Sequence, residues 1–154
     1  MNKIRQKIEA AQGKALNVYF TAGFPTLSSI PTIIKALEES GADLIELGMP
    51  YSDPLADGVT IQNSSKIALE NGLNLKNLFE QIEEARKDSD IPIIMMGYFN
   101  QLLQFGVDAF LKLAAEKGVD GLIVPDLPMD IYERDYQEAF ERYGLSISFL
   151  ISPM

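Results

Sequence analysis

The chain has 154 residues, of which 47% are hydrophobic and 23% are charged, as is ordinary for a globular protein with its own core. A formal net charge of -9, with no basic run, argues against nucleic-acid and anionic-membrane partners. Cysteine and histidine are absent, which excludes disulfides, a thiolate nucleophile, a Ser-His-Asp triad and metal sites built on thiolates or imidazoles. Acid-base chemistry therefore falls to carboxylates, tyrosines or lysines.

The N-terminal residues are charged and lead into an amphipathic stretch rather than a signal peptide. No segment approaches the ~20 apolar residues that a membrane-spanning helix needs. We therefore expect a cytoplasmic protein.

Hydrophobic spacing and Gly/Pro breaks predict alternating helices and strands. In chain order we expect a helix at 2–12, a strand at 15–21, a helix at 27–39 with Thr26 or Ser28 as its N-cap, a strand at 43–47, helices at 60–69 and 75–87, a strand at 91–97, a helix at 101–117 broken at Gly106, a strand at 121–124, a helix at 131–143 and a strand at 145–151.

This alternation predicts right-handed crossovers and a parallel sheet, either doubly wound or part of a (β/α)8 barrel. No Gly-x-Gly-x-x-Gly fingerprint follows any strand, which removes the strongest sign of a dinucleotide fold. Polar residues cluster at the carboxyl ends of the strands, where barrel enzymes build their sites. A complete barrel takes about 250 residues, so we predict one domain, residues 1–154, forming a partial barrel of about five parallel strands with an N-terminal helix. These strand-end residues are Tyr19, Thr21, Glu46, Tyr98, Asn100, Asp126 and Ser152.

Glu46 is an acid inside an apolar strand, where an ionised side chain needs a reason because burying a charge is costly. Asp57 follows eleven residues later, in a loop long enough to place it across a pocket from Glu46. Two carboxylates in unlike environments can divide acid and base work. The alternative is structural: Glu46 pairs with a lysine, while Asp53 and Asp57 are turn residues.

The other strand-end residues also have two interpretations. Tyr19, Tyr98 and Asn100 would line the mouth of a barrel, or the tyrosines are ordinary residues at the edge of the core. Asp126 is catalytic, or it caps a helix or braces a turn, which is the interpretation that we favour. Met96 belongs to the core or to a pocket wall.

The run from Glu46 to Gly58, Glu-Leu-Gly-Met-Pro-Tyr-Ser-Asp-Pro-Leu-Ala-Asp-Gly, closely resembles the signature of the tryptophan synthase alpha chain. The flanking segments agree in order along the whole chain, with Thr21-Ala-Gly-Phe-Pro25, Met96-Gly-Tyr-Phe-Asn100 and Val124-Pro-Asp-Leu-Pro128. Val59 stands where proline is common in the family.

The resemblance implies a (β/α)8 barrel lyase of tryptophan biosynthesis, which cleaves indole-3-glycerol phosphate to indole and glyceraldehyde 3-phosphate in a retro-aldol reaction. Glu46 would be the general acid/base, and Asp57 would bind the indole N-H. The resemblance assigns substrate binding to Tyr19, Met96, Tyr98, Ile123 and Ile151, and contact with the beta chain to Asp53, Asn100 and Pro128. It implies no cofactor or metal here, with PLP expected only in the beta chain of an alpha2-beta2 complex.

Members of the family bind the substrate phosphate with Gly- and Ser-rich loops after the late strands, and no such phosphate-binding loop occurs in this sequence. Because remote binding energy holds the reacting groups in place, we expect the 154-residue chain alone to cleave its substrate weakly or not at all. Open edges at the first and fifth strands would favour self-association. Two alternatives stay open: an inactive fragment or interaction module that keeps the beta-chain surface, and another phosphate-handling barrel enzyme.

Overall fold

The computed structural model describes residues 2–54 and 56–151. Its elements follow the predicted order, with small shifts at their ends. They are α1 (Lys3–Ala10), β1 (Asn17–Thr21), α2 (Ile30–Glu39), β2 (Leu44–Gly48), α3 (Val59–Glu70), α4 (Leu75–Ala85), β3 (Ile93–Met96), α5 (Phe99–Phe105), α6 (Val107–Glu116), β4 (Gly121–Ile123), α7 (Met129–Ile131), a π-helical turn (Tyr132–Tyr136), α8 (Gln137–Tyr143) and β5 (Ser146–Ser148).

The five strands form one parallel sheet in the order β1-β2-β3-β4-β5. With α1 at its N-terminal side, this arrangement confirms the predicted partial barrel. In the parallel register, Tyr19 lies opposite Glu46, Glu46 opposite Ile94, and Ile94 opposite Gly121. Successive side chains along a strand point to opposite faces of the sheet. Residues paired in one such row therefore share a face.

The outer face of the sheet packs against the helices and forms the main core. Each fully buried Ile, Leu, Met or Phe contributes about 1.5–3 kcal/mol, so this layer supplies most of the hydrophobic stabilisation. Its side chains come from the strands (Ile45, Leu47, Ile93, Met95, Leu122) and from the helices (Ile30, Ile34, Leu78, Phe79, Ile82, Phe110, Leu111, Phe140).

The inner face carries a smaller apolar cluster made of Leu44, Ile94 and Ile123. Helix α1 crosses this face and adds Ile4 to the cluster. A side chain at Gly121 would come within 2.8 Å of Ile4 Cδ1, so glycine is needed where the helix docks. The inner face is thus apolar near α1 and polar toward the opposite strand ends.

Four predicted details are corrected. The N-cap of α2 is Ser29 rather than Thr26 or Ser28, and its hydroxyl donates to the carbonyl oxygens of Phe24 and Thr26 instead of capping the helix. The predicted helix at 131–143 contains the π-helical turn, which brings Tyr132 against Phe140 and Phe149 at ring distances of 5.3 Å.

The fifth strand is shorter than predicted, because it pairs only with the three-residue β4. The third strand likewise begins at Ile93 rather than at residue 91. Ser152, which we expected at the end of the fifth strand, lies outside the described residues. The break at Gly106 is confirmed: its φ of 94° is readily adopted only by glycine, and it separates α5 from α6.

None of the helices within residues 2–54 and 56–151 is long and apolar enough to cross a membrane.

Candidate active site

A cavity of about 370 Å³ opens at the carboxyl ends of β1, β2 and β3, on the inner face of the sheet. Its walls are mostly apolar, with two carboxylates, those of Glu46 and Asp57, among them. No lysine or arginine of the described residues lines it. The lining side chains are Tyr19, Glu46, Met49, Ala56, Asp57, Ile61, Ser65, Met96, Tyr98, Pro125 and Leu150.

Glu46 is half-buried in the middle of β2. The Asn17 side-chain amide donates a hydrogen bond of 2.8 Å to Glu46 Oε2. Within the described part of the chain Glu46 forms no ion pair, so the interpretation that it pairs with a lysine is wrong. Among the described residues, Glu46 thus has a neutral amide donor and no cation as its partner.

Asp57 reaches the cavity from the loop between β2 and α3. Three contacts anchor this loop: Gln62 donates to the Asp57 carbonyl oxygen at 2.8 Å, Gln101 to the Pro50 carbonyl oxygen at 3.0 Å, and Asn100 to the Tyr51 hydroxyl at 2.9 Å. Asp57 does lie in a turn, as the structural interpretation held, but its side chain also faces the cavity. The loop is thus joined both to α3 and to the residues after β3.

The Tyr98 ring stacks at a tilt on Tyr51, with centroids 4.9 Å apart. Its hydroxyl oxygen is buried beside the Ala56 backbone and the Asp57 carboxylate, but it forms no hydrogen bond of ordinary geometry among residues 2–54 and 56–151. Burial raises the pKa of Tyr98, the Ala56 backbone opposes the rise, and the nearby carboxylates of Asp57 and Asp126 add to it. A buried hydroxyl that is only weakly bonded is costly to fold, so a ligand in the cavity would compete with Asp57 for this donor.

Tyr19 lies beside Glu46 in the register and reaches over Gly48. A side chain at Gly48 would come within 2.6 Å of the Tyr19 ring carbon Cζ, so only glycine leaves room for this ring. Burial also raises the pKa of Tyr19, with smaller contributions from Asp57 and Glu46. The tyrosine thus stays neutral beside the two carboxylates.

Of the other three predicted substrate-binding residues, only Met96 lines the cavity. Ile123 is buried in the inner-face cluster and is not among the lining side chains. Ile151 is 92% exposed and does not line the cavity. Leu150 lines it instead. The short β5 explains the difference, since the chain leaves the sheet before residue 151.

Of the predicted partner contacts, Asp53 and Pro128 are exposed, and Asn100 is half-buried against Tyr51. Asp126 accepts a hydrogen bond of 2.8 Å from the Phe99 backbone N-H at the start of α5, so it caps this helix, as the structural interpretation held.

Sequence reasoning missed Asn17, Ile61 and Ser65. Asn17 was detectable, because alternation along β1 puts it on the same face as Tyr19. Ile61 and Ser65 are one turn apart on α3, a spacing that shows a shared face but not which strand the face meets.

Among residues 2–54 and 56–151 no cluster of three or more acidic side chains is arranged to hold a metal ion. The fold and the cavity together define a partial (β/α) barrel with a carboxylate pair at its strand ends, the position of the active site in barrel enzymes.

The sequence model of the family described as "Tryptophan synthase alpha chain" matches residues 5–154, and the chain belongs to this family. It is 55% identical over 153 residues to the tryptophan synthase alpha chain of Flavobacterium psychrophilum, covering 99% of this chain and 60% of that one. The alpha chain of Bacteroides fragilis is 45% identical over the same length, 58% of its own.

The structure is also similar to solved members. A tryptophan synthase alpha chain from Legionella pneumophila superposes with a TM-score of 0.93 at 34% identity, over 100% of this chain and 59% of that chain. A tryptophan synthase structure from Mycobacterium tuberculosis gives 0.89 at 33% identity, over 97% and 59%. The chain thus spans about 60% of the length of the relatives that it matches.

Proposed function

We propose that this chain carries the acid-base half of an indole-3-glycerol phosphate lyase site, which releases indole and glyceraldehyde 3-phosphate. The observation that carries the proposal is the cavity in which Glu46 and Asp57 stand among apolar and aromatic walls, with no compensating cation among the described residues. Such a site suits a flat apolar ring that carries one N-H group and becomes cationic during the reaction.

In the proposed reaction the Glu46 carboxyl gives a proton to the indole ring carbon that bears the glycerol side chain. The ring becomes a cationic indolenine, and the Asp57 carboxylate accepts a hydrogen bond from its N-H group and stabilises the charge. A carboxylate then takes the proton of the hydroxyl on the adjacent carbon, the carbon-carbon bond breaks, and its electron pair returns to the ring. The products are indole and an aldehyde, and no proton is gained or lost overall.

The walls support this assignment. Met49, Ile61 and Met96 give an apolar surface for the ring, and Tyr19 and Tyr98 add aromatic faces. An apolar cavity with a few polar groups at defined positions is the usual form of a small-molecule site. The buried hydroxyl of Tyr98 supplies a weakly bonded donor beside Asp57.

The test joins this chain to the remaining C-terminal part of the Flavobacterium psychrophilum alpha chain and measures indole release from indole-3-glycerol phosphate. We expect the chimera to be active, Glu46→Gln to lower kcat by about 1000-fold, and Asp57→Asn by about 100-fold, as for removal of a proton-transfer group or of one electrostatic contact. The matched control is Glu84→Gln, an exposed acid on α4, which should leave kcat unchanged.

Unchanged kcat in Glu46→Gln would refute the proposal. A chimera that folds and binds a beta chain but releases no indole would favour the interaction module instead. The 154-residue chain, assayed alone beside the chimera, tests the prediction that it is weakly active or inactive.

We also propose that the chain's partner is a PLP-dependent beta chain, that its own site needs no cofactor, and that it works in the cytoplasm. The exposed side chains of Asp53 and Pro128, which follow the carboxyl ends of β2 and β4, support a contact surface there. Asp53→Lys should weaken co-elution of the chimera with the beta chain, whereas Asp88→Lys, at an exposed acid before the amino end of β3, should not. Equal loss in both variants would argue against this surface.

A further inference from the structure

Asn17 opens β1 and lies on the inner face of the sheet, two residues before Tyr19. It is paired in register with Leu44, so Glu46 is its diagonal neighbour on the same face. The amide Nδ2 donates to Glu46 Oε2 at 2.8 Å, a distance typical of a strong hydrogen bond to a carboxylate. This bond holds the Glu46 carboxylate in place.

The other inner-face neighbours of Glu46 offer no comparable partner. Leu44 precedes it on the same face, Ile94 lies opposite it on β3, and Met96 follows Ile94. All three are apolar. Helix α1 faces the cluster with Ile4, so it too brings an apolar side chain.

Several titratable groups lie around Glu46. Tyr19 comes from β1, Asp57 from the loop after β2, and Tyr98 from the residues after β3. None of these three brings a positive charge. The two basic residues that flank Ile4 on α1 are paired elsewhere, Lys3 with Asp90 at 3.0 Å and Arg5 with Glu9 at 2.8 Å.

We propose that Asn17 is a positioning residue that fixes which oxygen of Glu46 carries the transferable proton. An amide N-H binds an oxygen lone pair, so Oε2 stays unprotonated and the proton occupies Oε1. Oε1 is then the atom that gives the proton to the substrate carbon and later receives the hydroxyl proton. This inference rests on the proposed function, because it assigns Glu46 its role there.

Asparagine suits this role better than a charged side chain. A lysine or arginine beside Glu46 would hold the carboxylate ionised and oppose its protonation, whereas an aspartate would add a like charge. A neutral donor fixes the orientation of the carboxylate and still allows it to cycle between its two protonation states.

The first experiment follows the carboxyl carbon of Glu46 by NMR during a pH titration of the chain, with no need for turnover. Asn17→Leu removes a donor to the ionised form, so we expect the pH midpoint of this resonance to rise relative to wild type. Asn17→Asp, which keeps the size, should raise it further because it adds a like charge. Asn17→Gln, which restores a donor amide, should recover part of the wild-type value.

The matched control is Gln137→Leu. The Gln137 amide also donates to a carboxylate, that of Glu141, at 2.8 Å, but on the exposed surface of α8. Its removal should leave the titration of Glu46 unchanged. An unfolding curve for each variant shows whether the change at residue 17 acts through stability alone.

The second experiment measures the pH-rate profile of the chimera. Asn17→Leu should lower kcat about 3- to 10-fold with KM within twofold of wild type, and shift the profile in the direction of the NMR titration. An unchanged Glu46 titration and an unchanged profile would overturn the inference. Failure of the proposed function is a separate result, since Glu46→Gln would then have no effect on indole release.

Discussion

The two ends of the parallel sheet differ in how their charged groups are paired. At the amino end, Arg86 pairs with Asp120 at 2.7 Å, with side chains only 14% and 13% exposed. The same guanidinium donates to the carbonyl oxygens of Gly118 and Ile91, and Asp120 also accepts from the Ile93 backbone N-H. At the carboxyl end, Glu46 and Asp57 have no cation among the described residues.

The charged groups at the amino end contribute to stability, whereas those at the carboxyl end are the ones proposed to act in the reaction. Burial lowers the pKa of Arg86 while Asp120 opposes that shift, so the pair balances its own charges inside the fold. At the carboxyl end, two carboxylates without a described cation and one weakly bonded hydroxyl face a cavity. Groups left unsatisfied by the fold are the ones that a substrate can use, and barrel enzymes follow the same division between their two ends.

The largest expected effect is at the amino end. Arg86→Leu leaves Asp120 and the carbonyl oxygens of Gly118, Ser89 and Ile91 without their cation, and should lower the free energy of unfolding by about 3–5 kcal/mol, as for breaking a buried ion pair. Urea unfolding of the chain measures it. The double variant Arg86→Leu/Asp120→Leu should recover part of this loss, because it removes the orphaned charge. A loss below about 1 kcal/mol would contradict the assignment.

Gly48→Ala changes the carboxyl end. The new methyl group meets the Tyr19 ring, so we expect the ring to move into the cavity and the free energy of unfolding to fall by about 1–3 kcal/mol. Binding of indole to the cavity, measured by calorimetry, should weaken. Gly58→Ala is the matched control, since a side chain there meets nothing within 4 Å. Equal effects in both variants would show that Tyr19 does not depend on Gly48.

Tyr98→Phe, at the carboxyl end, should affect stability and kcat in different ways. It deletes a buried hydroxyl that forms no hydrogen bond of ordinary geometry in the described part of the protein, so we expect stability to stay within about 0.5 kcal/mol of wild type or to rise by about 1 kcal/mol. The kcat of the chimera should fall at the same time. Urea unfolding and indole release, measured on the same samples, give the two values, and a clear loss of stability would show that the hydroxyl is bonded within the fold.

The smallest effect concerns alkaline pH. The pKa values of Tyr19 and Tyr98 are raised above the ordinary 10.0, mainly by burial, so the folded chain keeps these phenol protons where the unfolded chain loses them. Stability from this source is complete below about pH 10 and is lost as the pH rises through the folded values. Unfolding curves between about pH 8 and 11 should show a shallower decline in Tyr19→Phe than in wild type. An identical decline would contradict the shift.

Much of the fold was predictable because its signals are local. Apolar runs bounded by glycine and proline located the five strands, and Gly106 located a helix break, since its backbone angle needs no tertiary partner. Asp126 was interpreted as a helix cap or turn brace from its position at a turn, but that α5, 27 residues earlier, is the helix that it caps was not predicted. The absence of histidine and cysteine is a property of composition alone, and it was enough to restrict acid-base chemistry to carboxylates, tyrosines and lysines.

Contacts between distant segments were not predictable in this way. The bond from Asn17 to Glu46 joins residues 29 apart on two strands and depends on the register between them. Arg86 and Asp120 are 34 residues apart, and no local spacing marks them as a pair. Ile151 was assigned to the cavity because strand five was predicted too long, and the length of a strand is set by its neighbour.

The sequence by itself determined the order of elements, the parallel sheet and the residue types available for chemistry. Hydrophobic periodicity and the Gly and Pro residues that end helices and strands are local signals, and composition needs no structure at all. The tertiary structure alone decided which carboxylates share a cavity, that an amide rather than a lysine contacts Glu46, and which charges are balanced inside the fold. These follow from strand register and from how the loops and helices close over the sheet, since both bring together residues that are far apart in the chain.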